Sequence, residues 1–301
     1  MNLFVAAYPR SGTTYLAKVL VKELGIYSSP ESHFLFSLYR EIQNKKIIEK
    51  HLLESILKQH FKFRVWEIEP ELPDSLHVDN FLSFYENIMA CYNQVSIEKV
   101  KANVTVDHTP ENMINQTHIQ KFFPDSIQLH LIRDPRAVFA SLKFVNWGPN
   151  NVLTFIESWG KSEIAWQAKP AGINVFDIKF DDLVVDSAPI IEKLKPKLGA
   201  FTGDPNAKFI LPNYTRKQHK LVNSGKGDFS RIDAWKSVLS KREIKLLEGN
   251  ELIRTYLINN EYEIVSQGCK PNTLEKVAAR PLDKVLKGVN RIKRVMNGDK
   301  Y

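Results

Sequence analysis

Along the chain, short apolar runs alternate with stretches in which apolar residues recur every three or four positions. The first run, Asn2-Leu3-Phe4-Val5-Ala6-Ala7, stops at a Pro- and Gly-containing turn, after which Leu16, Val19, Leu20 and Leu24 fall at helical spacing. This order predicts a strand, a loop and a helix. Asn103 to Asp107, Ser126 to Ile132 and Ile173 to Ile178 are further strand candidates rich in β-branched residues, each followed by a more helical segment. Strands alternating with helices favour a parallel sheet covered on its faces, with ligands beyond the carboxyl ends of the strands.

Between the first and second strand candidates, residues 31–101 form a long excursion, charged and aromatic, with helical character. Beyond Gly268 the pattern changes again. A basic segment, 269–301, carries Leu282, Val285, Leu286, Val289, Ile292 and Val295 at helical spacing among lysines and arginines. Such a helix either packs its apolar face on its own domain or lies on an anionic membrane. The expected organisation is one domain over 1–268, with 31–101 as its insertion, followed by the amphipathic tail.

Composition adds little to this until charge is considered. The 301 residues are 43% hydrophobic and 25% charged, ordinary for a globular chain. A net charge of +8 calls for an anionic partner. Aromatic residues are not interleaved with basic runs and no zinc-finger spacing occurs, so nucleic acid is not the expected one. Cys91 and Cys269 make no metal or redox spacing. No run approaches the roughly 18 apolar residues of a membrane span, and Met1 to Ala7 lead directly into the first turn, so a cytoplasmic chain is expected, with peripheral membrane contact through the tail as the variant.

That first turn, Tyr8-Pro9-Arg10-Ser11-Gly12-Thr13-Thr14-Tyr15, carries the densest chemistry. A strand ending in a Gly turn that opens a helix aims backbone N–H groups and the positive helix end at a bound anion. Arg10, Ser11, Thr13 and Thr14 add side-chain donors. A Walker A loop would need lysine where Thr13 stands and glycine where Ala7 stands. The missing lysine argues against metal-dependent phosphoryl transfer, while a cation appears earlier, at Arg10.

The segment Tyr8 to Leu16 resembles the 5′-phosphosulfate loop of the sulfotransferase family that uses 3′-phosphoadenosine 5′-phosphosulfate (PAPS). A second segment, Leu131-Ile132-Arg133-Asp134-Pro135-Arg136-Ala137-Val138-Phe139-Ala140-Ser141, resembles that family's 3′-phosphate segment, with Arg133 and Ser141 at the characteristic separation of eight positions. Pro135 suits a first helical residue and a guanidinium offers paired donors to phosphate. Fainter is Ser224-Gly225-Lys226-Gly227-Asp228-Phe229, similar to the Gly-and-basic loop that closes over the nucleotide, with Ser224 or Lys226 replacing a basic pair that stands here as Val222 and Asn223.

The resemblance implies an α/β fold with a P-loop-like parallel sheet flanked by helices, and a helical excursion after the first βα unit. It implies PAPS as sulfuryl donor without a metal, held by Arg10, Ser11, Gly12, Thr13, Thr14 and Tyr15 at one end and by Arg133, Ser141, Ser224 and Lys226 at the other. Sulfuryl transfer also needs charge stabilisation on the leaving oxygen, for which Arg10 is the candidate, and a base for the acceptor hydroxyl. Ser29-Pro30-Glu31-Ser32-His33-Phe34 resembles the glutamate context of heparan-type members, and Val106-Asp107-His108-Thr109-Pro110 offers the histidine of cytosolic ones; Glu31 and His108 both stand. Asp107, His33 and Lys101 are lesser candidates. These segments lean toward a glycan, a glycolipid or another alcohol as acceptor. The rival readings are a P-loop nucleotide kinase or NTPase, disfavoured by the absent lysine, and a non-catalytic nucleotide-binding protein that would tolerate changes at Glu31 and His108.

Overall fold

The computed structural model describes residues 1–213, 216 and 229–296. The chain divides into two compact units, Met1–Leu131 with Lys169–Lys226, and Ile132–Ala168 with Gly227–Tyr301.

The first unit is built on a sheet whose central strand, β1 (Asn2–Ala6), is buried from Leu3 onward. Helix α1 (Thr13–Leu24) follows, then β2 (Tyr27–Ser29). The excursion supplies α2 (Phe34–Lys45), β3 (Ile47–Glu49), α3 (Lys50–Gln59), α4 (Phe61–Arg64), β4 (Ser75–His77), α5 (Phe81–Asn93) and α6 (Ile97–Lys101). After it come β5 (Thr105–Asp107), α7 (Gln116–Phe122) and β6 (Ile127–Ile132). The sheet order is β2-β5-β1-β6-β7, where β7 is Asn174–Lys179. β1 pairs in parallel with β5 and β6, and β5 in parallel with β2. His130 of β6 and Asp177 of β7 face each other at 2.8 Å.

The expected parallel sheet with helices is therefore present, as is the helical excursion. β2 was not expected. Two of its three residues are serines, yet Ser28 and Ser29 are both buried. The excursion carries a dense aromatic core, with Phe34 edge-on to Trp66 at 5.1 Å, and Phe81 packs it against Phe122 of α7 at 4.6 Å. Phe4 of β1 joins it through Tyr85 at 6.2 Å, so the excursion packs on the sheet.

The second unit contains α8 (Pro135–Leu142), α9 (Val152–Gln167), α12 (Ser230–Val238), α13 (Lys241–Glu248), α14 (Glu251–Asn259) and α15 (Thr273–Met296), while α10 (Phe180–Val185) and α11 (Ala188–Leu194) belong to the first. Of the tail, Thr273–Met296 is helical. Its apolar stripe is not what packs: Val285, Val289, Ile292 and Val295 are exposed, whereas Asp283 is buried.

Candidate active site

In the first unit three candidate segments leave the carboxyl ends of adjacent parallel strands. The loop Tyr8 to Gly12 follows β1, His108 follows β5 and Glu31 follows β2. With neighbouring strands about 4.8 Å apart, pairing alone brings these loop starts together.

The first loop is shaped by two left-handed residues, Arg10 at φ 72° and Gly12 at φ 105°. The arginine's conformation costs roughly 1–2 kcal/mol, a strain characteristic of functional loops. Ser11 N–H donates to the Tyr8 carbonyl at 3.2 Å, closing the turn, and Ser11, Thr13 and Thr14 are buried. Gly12 occupies the N-cap of α1 and offers no side chain to cap the helix. The first-turn N–H groups thus keep the donor capacity that a phosphosulfate would use. A side chain at Gly12 has no room, because its Cβ would lie 2.5 Å from the Phe180 ring. Phe180 begins α10, and nothing in the sequence near it announces this contact. Tyr15 sits half-buried in the first turn of α1, its phenol raised by that burial.

Asp107 ties the other two segments together. Its carboxylate accepts from the Ser32 hydroxyl, from Thr109 N–H at 2.8 Å and from Asn112 Nδ2 at 3.2 Å, while Ser32 N–H donates to Thr109 Oγ1 at 2.6 Å. Asn112 Nδ2 lies 3.3 Å from the Val5 carbonyl of β1. All these side chains are buried. The positioning role of Asp107, Ser32 and Thr109 was partly signalled by the Asp-His-Thr-Pro segment; Ser32 carried no signal of its own.

Glu31 lies in a chain of alternating charge. Lys62 Nζ donates to Glu31 Oε2 at 2.6 Å, His33 Nε2 lies 3.2 Å from that oxygen, and His33 Nδ1 lies 3.1 Å from Glu111 Oε2. Burial opposes ionisation of Glu31, but His33 and Lys62 outweigh it and hold the carboxyl far below its usual range. As a base it is correspondingly weak. Burial likewise opposes charge on His33, and Glu111 with Glu31 overcomes it, pushing the imidazole up to about 9.

Because the folded value exceeds the ordinary 6.5, the stabilisation from charged His33 is complete below pH 6.5 and is lost as pH rises through about 9. Thermal unfolding of the native chain should therefore show a midpoint that declines across that window, by at most about 1.4 kcal/mol of stability per pH unit. His33→Gln should remove the decline, and an equal slope in both proteins would refute the pairing.

His108 is fully buried, and neither ring nitrogen has a hydrogen-bond partner among the described residues. Burial drives its imidazole below the ordinary value, with the charges of Glu31 and Asp107 only partly offsetting this. It is neutral at pH 7. Of the lesser candidates, Lys101 is exposed at the end of α6.

In the second unit Arg133 is buried and its Nη2 donates to the Arg231 carbonyl at 3.1 Å. Asp134 caps α8 by accepting from Arg136 N–H at 2.8 Å, and Pro135 is the first helical residue, as the sequence indicated. Ser141 lies in the last turn of that helix. Arg136, to which the sequence pattern assigned no part, is fully buried: it holds Asp134 through Nε and Nη2, Glu248 through Nη1 at 2.5 Å, and lies 3.9 Å over the Trp235 ring. Ser224 and Lys226 lie outside the described residues.

The family model described as "Sulfotransferase family" matches residues 2–201. The chain belongs to the sulfotransferase family. No curated protein sequence matches it. Among solved structures, the sulfotransferase domain from the curacin biosynthetic pathway is 20% identical, with 87% of this chain and 98% of that chain covered and a TM-score of 0.50. The sulfotransferase domain from the Synechococcus PCC 7002 olefin synthase is 20% identical, with 87% and 95% covered and a TM-score of 0.47. Mouse sulfotransferase SULT7A1 complexed with PAP is 12% identical, with 87% and 89% covered and a TM-score of 0.39. The sulfotransferase fold, a central parallel sheet bearing a P-loop-like turn after its first strand, is thus what positions the groups described above.

Proposed function

We propose that this chain transfers a sulfuryl group from PAPS to an acceptor hydroxyl, with His108 as the base. The observation that carries the reading is His108 itself: a neutral, buried imidazole with both nitrogens unengaged, at the end of the strand beside the one that feeds the phosphate loop. PAPS supplies the activated sulfuryl group. The amides and hydroxyls of Ser11, Thr13, Thr14 and Tyr15 are assigned to its 5′ end around Gly12, and Arg10 to the charge that grows on the leaving phosphate oxygen. Arg133 and Ser141 are assigned to the 3′-phosphate, with Ser224 or Lys226 closing over the nucleotide.

In the transfer the acceptor oxygen forms its bond to sulfur as the bond from sulfur to the phosphate oxygen breaks, and the hydroxyl proton passes to His108. Glu31, clamped as a carboxylate by Lys62 and His33, is suited instead to accepting a hydrogen bond that orients the acceptor. The acceptor class we propose is a glycan or glycolipid alcohol. That choice rests on the likeness of the Glu31 and Asp107 segments to carbohydrate-type members.

The test combines calorimetry with adenosine 3′,5′-bisphosphate (PAP) and product analysis with labelled PAPS and a glycan panel. Arg133→Ala should weaken PAP binding by roughly tenfold or more. His108→Ala should leave PAP affinity intact and lower kcat by roughly 10²–10⁴. Glu31→Gln and Arg10→Ala should also slow turnover. Since His108 titrates below the ordinary histidine value, the acid limb of kcat should fall below pH 6.5. Absence of PAP binding at hundreds of micromolar would overturn the reading, and full activity of both the Glu31 and the His108 variants would assign the base to another residue.

A further inference from the structure

Helix α15 is docked by its polar side. Asp283 accepts from Asn150 N–H at 2.6 Å, Asn151 N–H at 2.9 Å and the Thr154 hydroxyl at 2.9 Å. Asn290 donates to the Lys143 carbonyl at 3.1 Å, and Arg294 to Asn146 Oδ1 at 3.0 Å. These positions, with buried Ala279, recur at three- to seven-residue steps along one face, against α9 and the turn before it. The opposite face is apolar from end to end. Val277, Val285, Val289, Ile292, Val295 and Met296 are all exposed, Val277 by 73% and Met296 by 80%.

This inverts the usual amphipathic arrangement, in which the apolar stripe faces the fold. The helix's carboxylates are spent on its own unit: Asp283 on α9 and Lys287, Glu275 on Arg242. Lys284 and Arg291 edge the apolar face on one side and Lys293 on the other, all exposed. At 24 residues the ridge is about 36 Å long. A second copy packed on it would set these cations against their own kind. None of the described helices is long and apolar enough to cross a membrane, which leaves contact in the interface plane.

From this charge complementarity we infer that α15 seats the chain on an anionic phospholipid bilayer, with the apolar ridge among the acyl chains and Lys284, Arg291 and Lys293 at the headgroups. The inference stands apart from the assignment of sulfuryl transfer. It is tested by pelleting the full chain with vesicles of phosphatidylcholine alone and of phosphatidylcholine mixed with phosphatidylserine. Binding should require the anionic lipid and weaken with added salt. The pairs Val285→Asp with Ile292→Asp, and Lys284→Glu with Arg291→Glu, should each reduce partitioning at least about tenfold. The altered side chains are exposed, so the far-ultraviolet dichroism and PAP affinity of each variant should match the parent. Equal pelleting with neutral vesicles, no pelleting with anionic ones, or indifference to both substitutions would overturn the inference. So would a dimer in sedimentation that Ile292→Asp dissociates.

Discussion

Gly12→Val should lower the affinity for PAP at least about a hundredfold, equivalent to about 3 kcal/mol, measured by calorimetry. Two independent obstacles produce the effect. At φ 105° a β-branched residue is in a conformation it rarely adopts. The added Cβ would also sit 2.5 Å from Phe180 ring atoms, well inside van der Waals contact. Phe180 is buried among packed neighbours, so the loop is expected to move. A displaced loop misaims the first-turn N–H groups of α1, each hydrogen bond to a charged group contributing about 1.5–3 kcal/mol. Gly12→Ala with Phe180→Ala separates the two causes. Removing the ring should restore part of the affinity lost in Gly12→Ala, and the remainder is the backbone strain. A Gly12→Val protein that binds PAP normally would show that the loop takes no part in holding the nucleotide.

Glu248→Ala should destabilise the protein by about 3–5 kcal/mol, because it removes one partner from a buried ion cluster and leaves the other charged. Arg136 and Glu248 are fully buried, and Glu248 also accepts from Val265 N–H at 3.2 Å and Ser266 N–H at 2.6 Å. Asp134 and the Glu263 carbonyl still contact the guanidinium in the variant, which sets the loss nearer the lower bound. In a chain of this size the thermal midpoint should fall by roughly 5–8 °C. Glu248→Gln, which keeps an acceptor for the two amides, should lose less. A midpoint for Glu248→Ala within about 2 °C of the parent would contradict this account of the cluster.

The second prediction also shows where the sequence was mute. Arg136 stands in the very segment that resembles the 3′-phosphate motif, but its partner Glu248 is 112 residues away and nothing local pairs them. Local patterns were legible wherever the chemistry was local. The apolar run of β1, the turn at Gly12, and Pro135 as a first helical residue are each encoded within a few residues, and each forms as read. β2 was hidden because a buried edge strand with two serines has no alternation of apolar and polar residues to betray it. Phe180 was hidden because its contact with Gly12 spans most of the chain.

For the catalytic candidates, residue type was legible and state was not. The family resemblance offered Glu31 first and His108 beside it, since either can accept a proton. Lys62, which with His33 outweighs burial and makes Glu31 a weak base, lies in the excursion, and Glu111, which holds His33 charged, lies beyond it. In the tail, periodicity cannot say which side of a helix such as Thr273–Met296 is docked. Hydrogen bonds from Asp283, Asn290 and Arg294 decided it.

The single carboxylate of Asp107 has a consequence for redesign. Since it fastens the segment bearing Glu31 to the one bearing His108, through Ser32 and Thr109, those segments form one inheritable block. A graft that replaces residues 31–101 must therefore retain Ser32, or the segment bearing His108 will lose its tie to the one bearing Glu31.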